Sequence, residues 1–390
     1  MSHPLRVFII AGEPSGDKLG GALMGGLKGL RVVEFAGVGG PLMQAQGLDS
    51  LFDMAELSVM GLLEVLPRVP NLLRRVKQTV AAVIAVRPDV LITIDSPDFC
   101  LRVAGKVRGV LPDVKVVHYV APSVWAWRPE RAAKMARHVD HVLALLPFEP
   151  PFMQAAGMSC DFVGHPVVAE PAPSSADLDA MAQELRVDPR QERLICLLPG
   201  SRVGEVKRLL PIYEQVVEQV CQKIPQARFI LPMSGGVAPL VRTITAHWVA
   251  RPVLLDPAEF SPQQGEAGKR AVFHLCDGAL ATSGTVALEL AAAGCPMVVA
   301  YKANYLTTRL VKKLAQIDTA NLVNIVTSSR VVPEFLFENC TAAQITPALL
   351  AVLADGGAQQ DACAQTLVAL GQGGEDPGVR AARSVLNFTG

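Results

Sequence analysis

An α/β protein built from two doubly wound parallel sheets is what this sequence predicts, and three observations carry that prediction. Short apolar runs alternate with longer amphipathic stretches along the chain, the rhythm of parallel strands covered on both faces by helices. At 390 residues the chain is long for one core, so two domains are expected. Near the middle, Pro171-Ala172-Pro173-Ser174-Ser175 has the most linker-like composition of the chain.

In the first half, strands are expected at residues 6–11, 33–36, 90–94, 115–120 and 141–146, each followed by turn residues and usually by a helical pattern such as 17–30. A strand at 162–163 closes on Gly164-His165-Pro166. A second series follows at 194–198, 228–231, 252–254, 278–281 and 297–300. The expected boundaries are an N-terminal domain 1–168, a linker 169–190, a C-terminal domain 191–365, and a helical segment 366–390 that packs back on the N-terminal domain. Ligands of such sheets sit beyond the carboxyl ends of the strands, so a site in a cleft between two facing domains is expected.

Composition narrows the function. The chain is 50% hydrophobic and 18% charged with zero formal net charge, so it carries no electrostatic footprint for nucleic acid. Its 8 cysteines include no C-x-x-C pair and read as small hydrophobes of a reducing compartment, with no structural zinc. Residues 7–11 are too short for a secretory apolar region, and no window reaches a membrane-spanning length. A cytoplasmic or peripheral protein is expected.

The segment LATSGTVALELAAAGCPMVVAYK, residues 280–302, is the most informative. A strand runs into Ser283-Gly284-Thr285, which opens a helix carrying Glu289 one turn in and ending at Gly294. Helix-start amides suit a phosphate and the carboxylate suits hydroxyl groups, together a match for a nucleotide diphosphate-sugar; an ordinary cap with a surface Glu is the plainer reading. Leu198-Pro199-Gly200-Ser201-Arg202, after the first strand of the second series, adds a glycine for close backbone approach and a forked cation. It lacks the Lys and the spacing of a Walker A loop.

In the first half, Ala11-Gly12-Glu13-Pro14-Ser15-Gly16-Asp17 follows the first strand and offers two acids and a Ser to polar substrate groups, or forms a capped βα loop. Ile94-Asp95-Ser96-Pro97-Asp98-Phe99 delivers two carboxylates at a strand end. One can accept a proton from an attacking hydroxyl, or both can cap the next helix; no further ligand set for a metal lies nearby. The stretch from His118 to Arg128 brings a second candidate base, His118, together with Trp125 and Trp127, which suit a sugar or acyl site or a core. Residues 60–77, MGLLEVLPRVPNLLRRVK, join an apolar face to Arg68, Arg74, Arg75 and Lys77. That pattern suits a membrane interface or lipid substrate, or a helix packed on its own sheet. Asp177-Leu178-Asp179 lies away from any strand end and reads as a solvated helix start.

Taken together, these segments resemble the lipid-A-disaccharide synthase family of glycosyltransferases. The carriers, in order along nearly the whole chain, are AGEPSGD at 11–17, SPDF at 96–99, HYVAPSVWAWRPERAAKM at 118–135, FVGHP at 162–166, LPGSR at 198–202, ATSGTVALELAAAGCPMVVAYK at 281–302 and NLVNIV at 321–326. The commoner family pattern has Ala where this chain has Pro14, and Pro suits that turn. The resemblance implies two facing Rossmann-like domains of the GT-B type and transfer of 2,3-diacylglucosamine from UDP to 2,3-diacylglucosamine 1-phosphate. The product is the β-1′,6-linked disaccharide 1-phosphate, with UDP released.

By motif position, the resemblance implies Asp98 as the base, with Glu13, Ser15, Gly16, Asp17, Asn321 and Asn324 toward substrate. Gly200, Ser201, Arg202, Ser283, Gly284 and Thr285 fall on the diphosphate and Glu289 on the ribose. It implies no cofactor and no metal, peripheral association with the cytoplasmic face of a Gram-negative inner membrane, with residues 60–77 as a docking surface, and it accommodates a homodimer. The rivals are another UDP-N-acetylglucosamine glycosyltransferase, an epimerase of the same plan, or a binding protein without turnover.

Overall fold

The computed structural model describes residues 3–57, 69–256, 259, 262–304, 308–309 and 317–390. They form two compact units, Met1–Ala169 with Leu370–Gly390, and Glu170–Ala369.

The first unit runs β1 (Leu5–Ala11), α1 (Pro14–Leu30), β2 (Val33–Val38), α2 (Pro41–Ala45), α3 (Val69–Val86), β3 (Val90–Ile94), α4 (Pro97–Arg108), β4 (Lys115–Tyr119), α5 (Glu130–Met135), β5 (His141–Ala144), α6 (Pro150–Ala155) and β6 (Ser159–Phe162). Its sheet is parallel throughout, in the order β2-β1-β3-β4-β5-β6. Every residue of β3 is buried and β1 is buried except at Arg6, as expected of strands covered on both faces.

The second unit runs α7 (Ser175–Leu185), β7 (Arg193–Leu198), α8 (Val203–Lys223), β8 (Ala227–Pro232), α9 (Ala238–Thr245), β9 (Val253–Leu255), α10 (Pro262–Leu275), β10 (Gly278–Thr282), α11 (Val286–Ala292), β11 (Met297–Tyr301), α12 (Leu322–Thr327), β12 (Glu334–Leu336), α13 (Ala342–Ala354) and α14 (Gly357–Ala369). Its sheet is also parallel, in the order β12-β11-β10-β7-β8-β9.

The last helix, α15 (Pro377–Thr389), belongs to the first unit. Ser384 bonds His141 Nε2 at 2.7 Å, and Lys115 Nζ donates to the Phe388 carbonyl at 3.1 Å. The stretch read as a linker carries α7, started by a reciprocal box: Asp177 N–H donates to Ser174 Oγ and Ser174 N–H to the Asp177 carboxylate. One strand has no counterpart among those expected, β12, a three-residue edge strand that begins with Glu334.

Strand order locates the switch points. In the first sheet the chain leaves β1 to β2 on one side and returns as β3 on the other; in the second it leaves β7 to β8 and returns as β10. The crevices beyond the carboxyl ends of β1/β3 and β7/β10 are where open parallel sheets generally take ligands. The loops singled out by sequence occupy them.

Candidate functional site

At the β1/β3 switch point two loops touch. A Cβ on Gly12 would lie 2.6 Å from Ser96 Oγ, so only glycine lets the β1 loop approach the β3 turn this closely. Asp95 and Ser96 both have positive φ, 49° and 42°, unusual for non-glycine residues and costly unless the surroundings enforce it. Asp95 N–H donates to the Tyr119 carbonyl at 3.0 Å, and the Ser96 carbonyl accepts from Phe99 and Cys100, so both ends of the turn are anchored. Pro97 then opens α4 with Asp98 in its first turn, where the helix start favours an anion.

Asp98 is exposed, and its carboxylate takes no partner among the described residues. Asp95 is half-buried; burial raises its pKa, against a hydrogen bond from Ser96 N–H. Ser15 is exposed and Glu13 half-buried beside them.

Several residues of the AGEPSGD loop and the NLVNIV segment have partners inside the protein. Asp17 does not reach outward: it is 3% exposed and accepts from Gly40 N–H at 2.9 Å, Leu42 N–H at 2.9 Å and Met43 N–H at 3.0 Å. Its role is to bind the start of α2. Gly16 is buried against Ala11 and Ile94 and serves helix-on-strand packing.

Asn321 and Asn324 are 1% and 0% exposed. Asn321 Oδ1 caps α12 by accepting from Val323 N–H at 2.8 Å. Asn324 donates to the Val332 carbonyl at 2.9 Å and to Glu334, and accepts from Val332 N–H at 3.0 Å. Asn321 Nδ2 lies 3.8 Å from Met297 Sδ, a weak acceptor, and both residues brace the β11–β12 connection.

His118 is 2% exposed, bonded through Nδ1 to Thr93 Oγ1 at 2.7 Å, and burial pushes its pKa down to about 4. It stays neutral and internal at physiological pH. Trp127 stacks under the Arg128 guanidinium at 4.4 Å. Trp125 packs edge-on against Phe148 and donates its indole N–H to Glu149 Oε1 at 3.2 Å.

Glu149, which sequence reasoning missed, is 3% exposed, and burial pushes its pKa up to about 7. Its folded pKa lies above the unfolded value, so native stability declines as pH rises from about 4.5 to 7, by about 3 kcal/mol in all. A protein with Trp125 as its sole tryptophan should show a fluorescence titration with a midpoint near pH 7. The Glu149→Gln version should abolish that titration, and its persistence would remove Glu149 as the titrating group.

At the β7/β10 switch point, Gly200 has φ of 102°, and a Cβ there would collide with the Glu205 carboxylate. Glu205, also missed, is 9% exposed and bonds Arg202 Nη1 at 3.0 Å from its Oε1. Arg202 keeps a side chain 66% exposed with further donors of its fork unused by this pair. Gly284 and Thr285 are exposed, and half-buried Ser283 donates to the Ala320 carbonyl at 3.1 Å. Glu289 lies one turn into α11, paired with Lys269.

No three His, Cys, Asp or Glu side chains converge as a metal site among the described residues, and no described helix is long and apolar enough to cross a membrane. Of the basic amphipathic stretch, residues 60–68 lie outside the described residues. Its remainder opens α3, where Val69, Leu73, Arg74 and Lys77 are exposed. Arg75 faces inward, paired with Glu56 and 4.4 Å from the Phe52 ring centre, and this pairing lowers the Glu56 pKa to about 2.

Two parallel doubly wound units with polar loops at both switch points define a two-domain α/β fold of the GT-B type. UDP-GlcNAc 2-epimerase from Neisseria meningitidis, bound to UDP-GlcNAc, shares this fold with a TM-score of 0.64 at 10% identity, covering 99% of each chain. A spinosyn rhamnosyltransferase complexed with thymidine diphosphate does so with a TM-score of 0.58 at 14% identity, covering 99% of this chain and all of that one. The family model for lipid-A-disaccharide synthetase matches residues 7–376. Lipid-A-disaccharide synthase of Ruegeria pomeroyi is 54% identical, covering 98% of this chain and 95% of its relative; that of Rhodospirillum centenum is 43% identical, covering 98% and 94%. The chain belongs to the lipid-A-disaccharide synthase family, and it is a hexosyltransferase of lipid A biosynthesis.

Proposed function

We propose that the two switch points divide the work of one inverting transfer. The donor is UDP-2,3-diacylglucosamine and the acceptor 2,3-diacylglucosamine 1-phosphate. Asp98 takes the proton of the acceptor 6-hydroxyl, and that oxygen attacks C1 of the donor from the face opposite UDP. The C1–oxygen bond to the diphosphate breaks, UDP leaves with the electron pair, and the β-1′,6 linkage forms. Glu13 and Ser15 hold acceptor polar groups, while Asp17 and Gly16 keep their loop in place.

On the second unit, Gly200, Ser201 and Arg202 with Ser283, Gly284 and Thr285 hold the diphosphate and offset the charge that develops on it. Glu289 accepts from the ribose. The observation that carries this reading is the Asp98 carboxylate, without a partner among the described residues, at the β1/β3 switch point beside two consecutive left-handed residues.

Calorimetric titration with UDP tests the division. Arg202→Ala should weaken UDP binding about tenfold or more, the loss of one charge-assisted contact. Asp98→Asn should leave it unchanged, and a loss of UDP affinity there would reverse the assignment.

The same reading puts the enzyme at the cytoplasmic face of a Gram-negative inner membrane, as a peripheral protein and a homodimer. The exposed Leu73, Arg74 and Lys77 of α3 support a lipid-facing surface there. Leu73→Ser with Arg74→Ser should reduce sedimentation with anionic vesicles several-fold. Unchanged sedimentation would exclude this face. Sedimentation velocity reads the oligomeric state, and a monomer would remove the dimer.

A further inference from the structure

We infer that Lys269 is a positioning residue that holds Glu289 for the nucleotide ribose and offsets its charge beside the diphosphate. The inference rests on the reading of Glu289 given above.

Lys269 stands on α10, and its Nζ lies 2.6 Å from Glu289 Oε2 on α11. Among the described residues this is the partner the Glu289 carboxylate takes. Glu266, one turn earlier on α10, is a weaker second partner at 3.9 Å, and the ammonium sits 5.8 Å from the Phe273 ring centre on its own helix. Burial disfavours the charged ammonium, but Glu289 and Glu266 more than offset this and the Lys269 pKa is raised. The lysine is therefore a fixed cation, one-quarter exposed.

Two consequences follow for Glu289. With Oε2 engaged, the side chain is held in place and Oε1 remains to accept from a hydroxyl, which spares the entropy of freezing a loose glutamate on binding. Glu289 also lies four residues beyond Thr285, about 6 Å along a helix axis. A bare carboxylate at that range would repel a diphosphate, and the Lys269 charge neutralises it.

The test measures UDP affinity by calorimetry, with KM and kcat for the UDP-sugar, in Lys269→Met, Lys269→Arg, Glu289→Gln and the Lys269→Met/Glu289→Gln double variant. Thermal melts check folding, and Lys269→Gln replaces Lys269→Met if the latter melts early. Lys269→Met should weaken UDP binding about tenfold and raise KM to match, with kcat little changed; Lys269→Arg should restore most of the loss. In the Glu289→Gln background the lysine change should add little. Unchanged affinity in Lys269→Met, or an equal loss in both backgrounds, overturns the inference while leaving Glu289 at the ribose. Wild-type affinity in Glu289→Gln overturns the ribose reading itself, and the inference with it.

Discussion

Asp98→Asn is expected to lower kcat by about 10²–10⁴-fold, the usual worth of a positioned general base. The amide keeps the size of the carboxylate and a place in the first turn of α4, so the fold and the Pro97 turn should persist. Asparagine cannot take the proton of the acceptor hydroxyl, and attack on C1 slows accordingly. UDP affinity should stay at its wild-type value because the loops proposed for the diphosphate follow β7 and β10. The neighbouring Asp95 is no substitute. It is half-buried, its carboxyl is engaged by Ser96 N–H, and its main chain is tied to Tyr119. Near-normal kcat in Asp98→Asn would move the role to Glu13.

Asp17→Ala is expected to destabilise the first unit by about 3–5 kcal/mol, as for a buried charged acceptor removed from its donors. Three backbone N–H groups, of Gly40, Leu42 and Met43, lose their acceptor at once, with the site too closed for water to replace it easily. Denaturant unfolding should show the loss directly. A variant that unfolds normally but has a raised KM would return Asp17 to the substrate. A cost below about 1 kcal/mol would show that the α2 start does not depend on it.

Asp17 also illustrates where sequence reading ended. The β1 and β3 loops were legible because strand, glycine and acid occur in a fixed local order, and local order is what a sequence displays. The donors that claim Asp17 lie 23–26 residues away, so a loop acid aimed at solvent and one aimed inward look alike. The partners of Asn324 are equally hidden from the sequence: it bonds Val332 and also Glu334, the first residue of a strand too short and too charged at its start to be seen.

Glu149, Glu205 and Lys269 carry no motif. Each matters through a partner set by the fold, Trp125, Arg202 and Glu289 respectively. Arg75 falls in a basic fringe by sequence, yet its guanidinium faces Phe52 and Glu56.

The most direct test of the account is incubation with UDP-2,3-diacylglucosamine and 2,3-diacylglucosamine 1-phosphate, following UDP release and the linkage of the product. The expected result is one UDP per disaccharide, a β-1′,6 bond, and loss of product formation in Asp98→Asn. Donor consumption without disaccharide, or reaction only with a non-acylated acceptor, would contradict it.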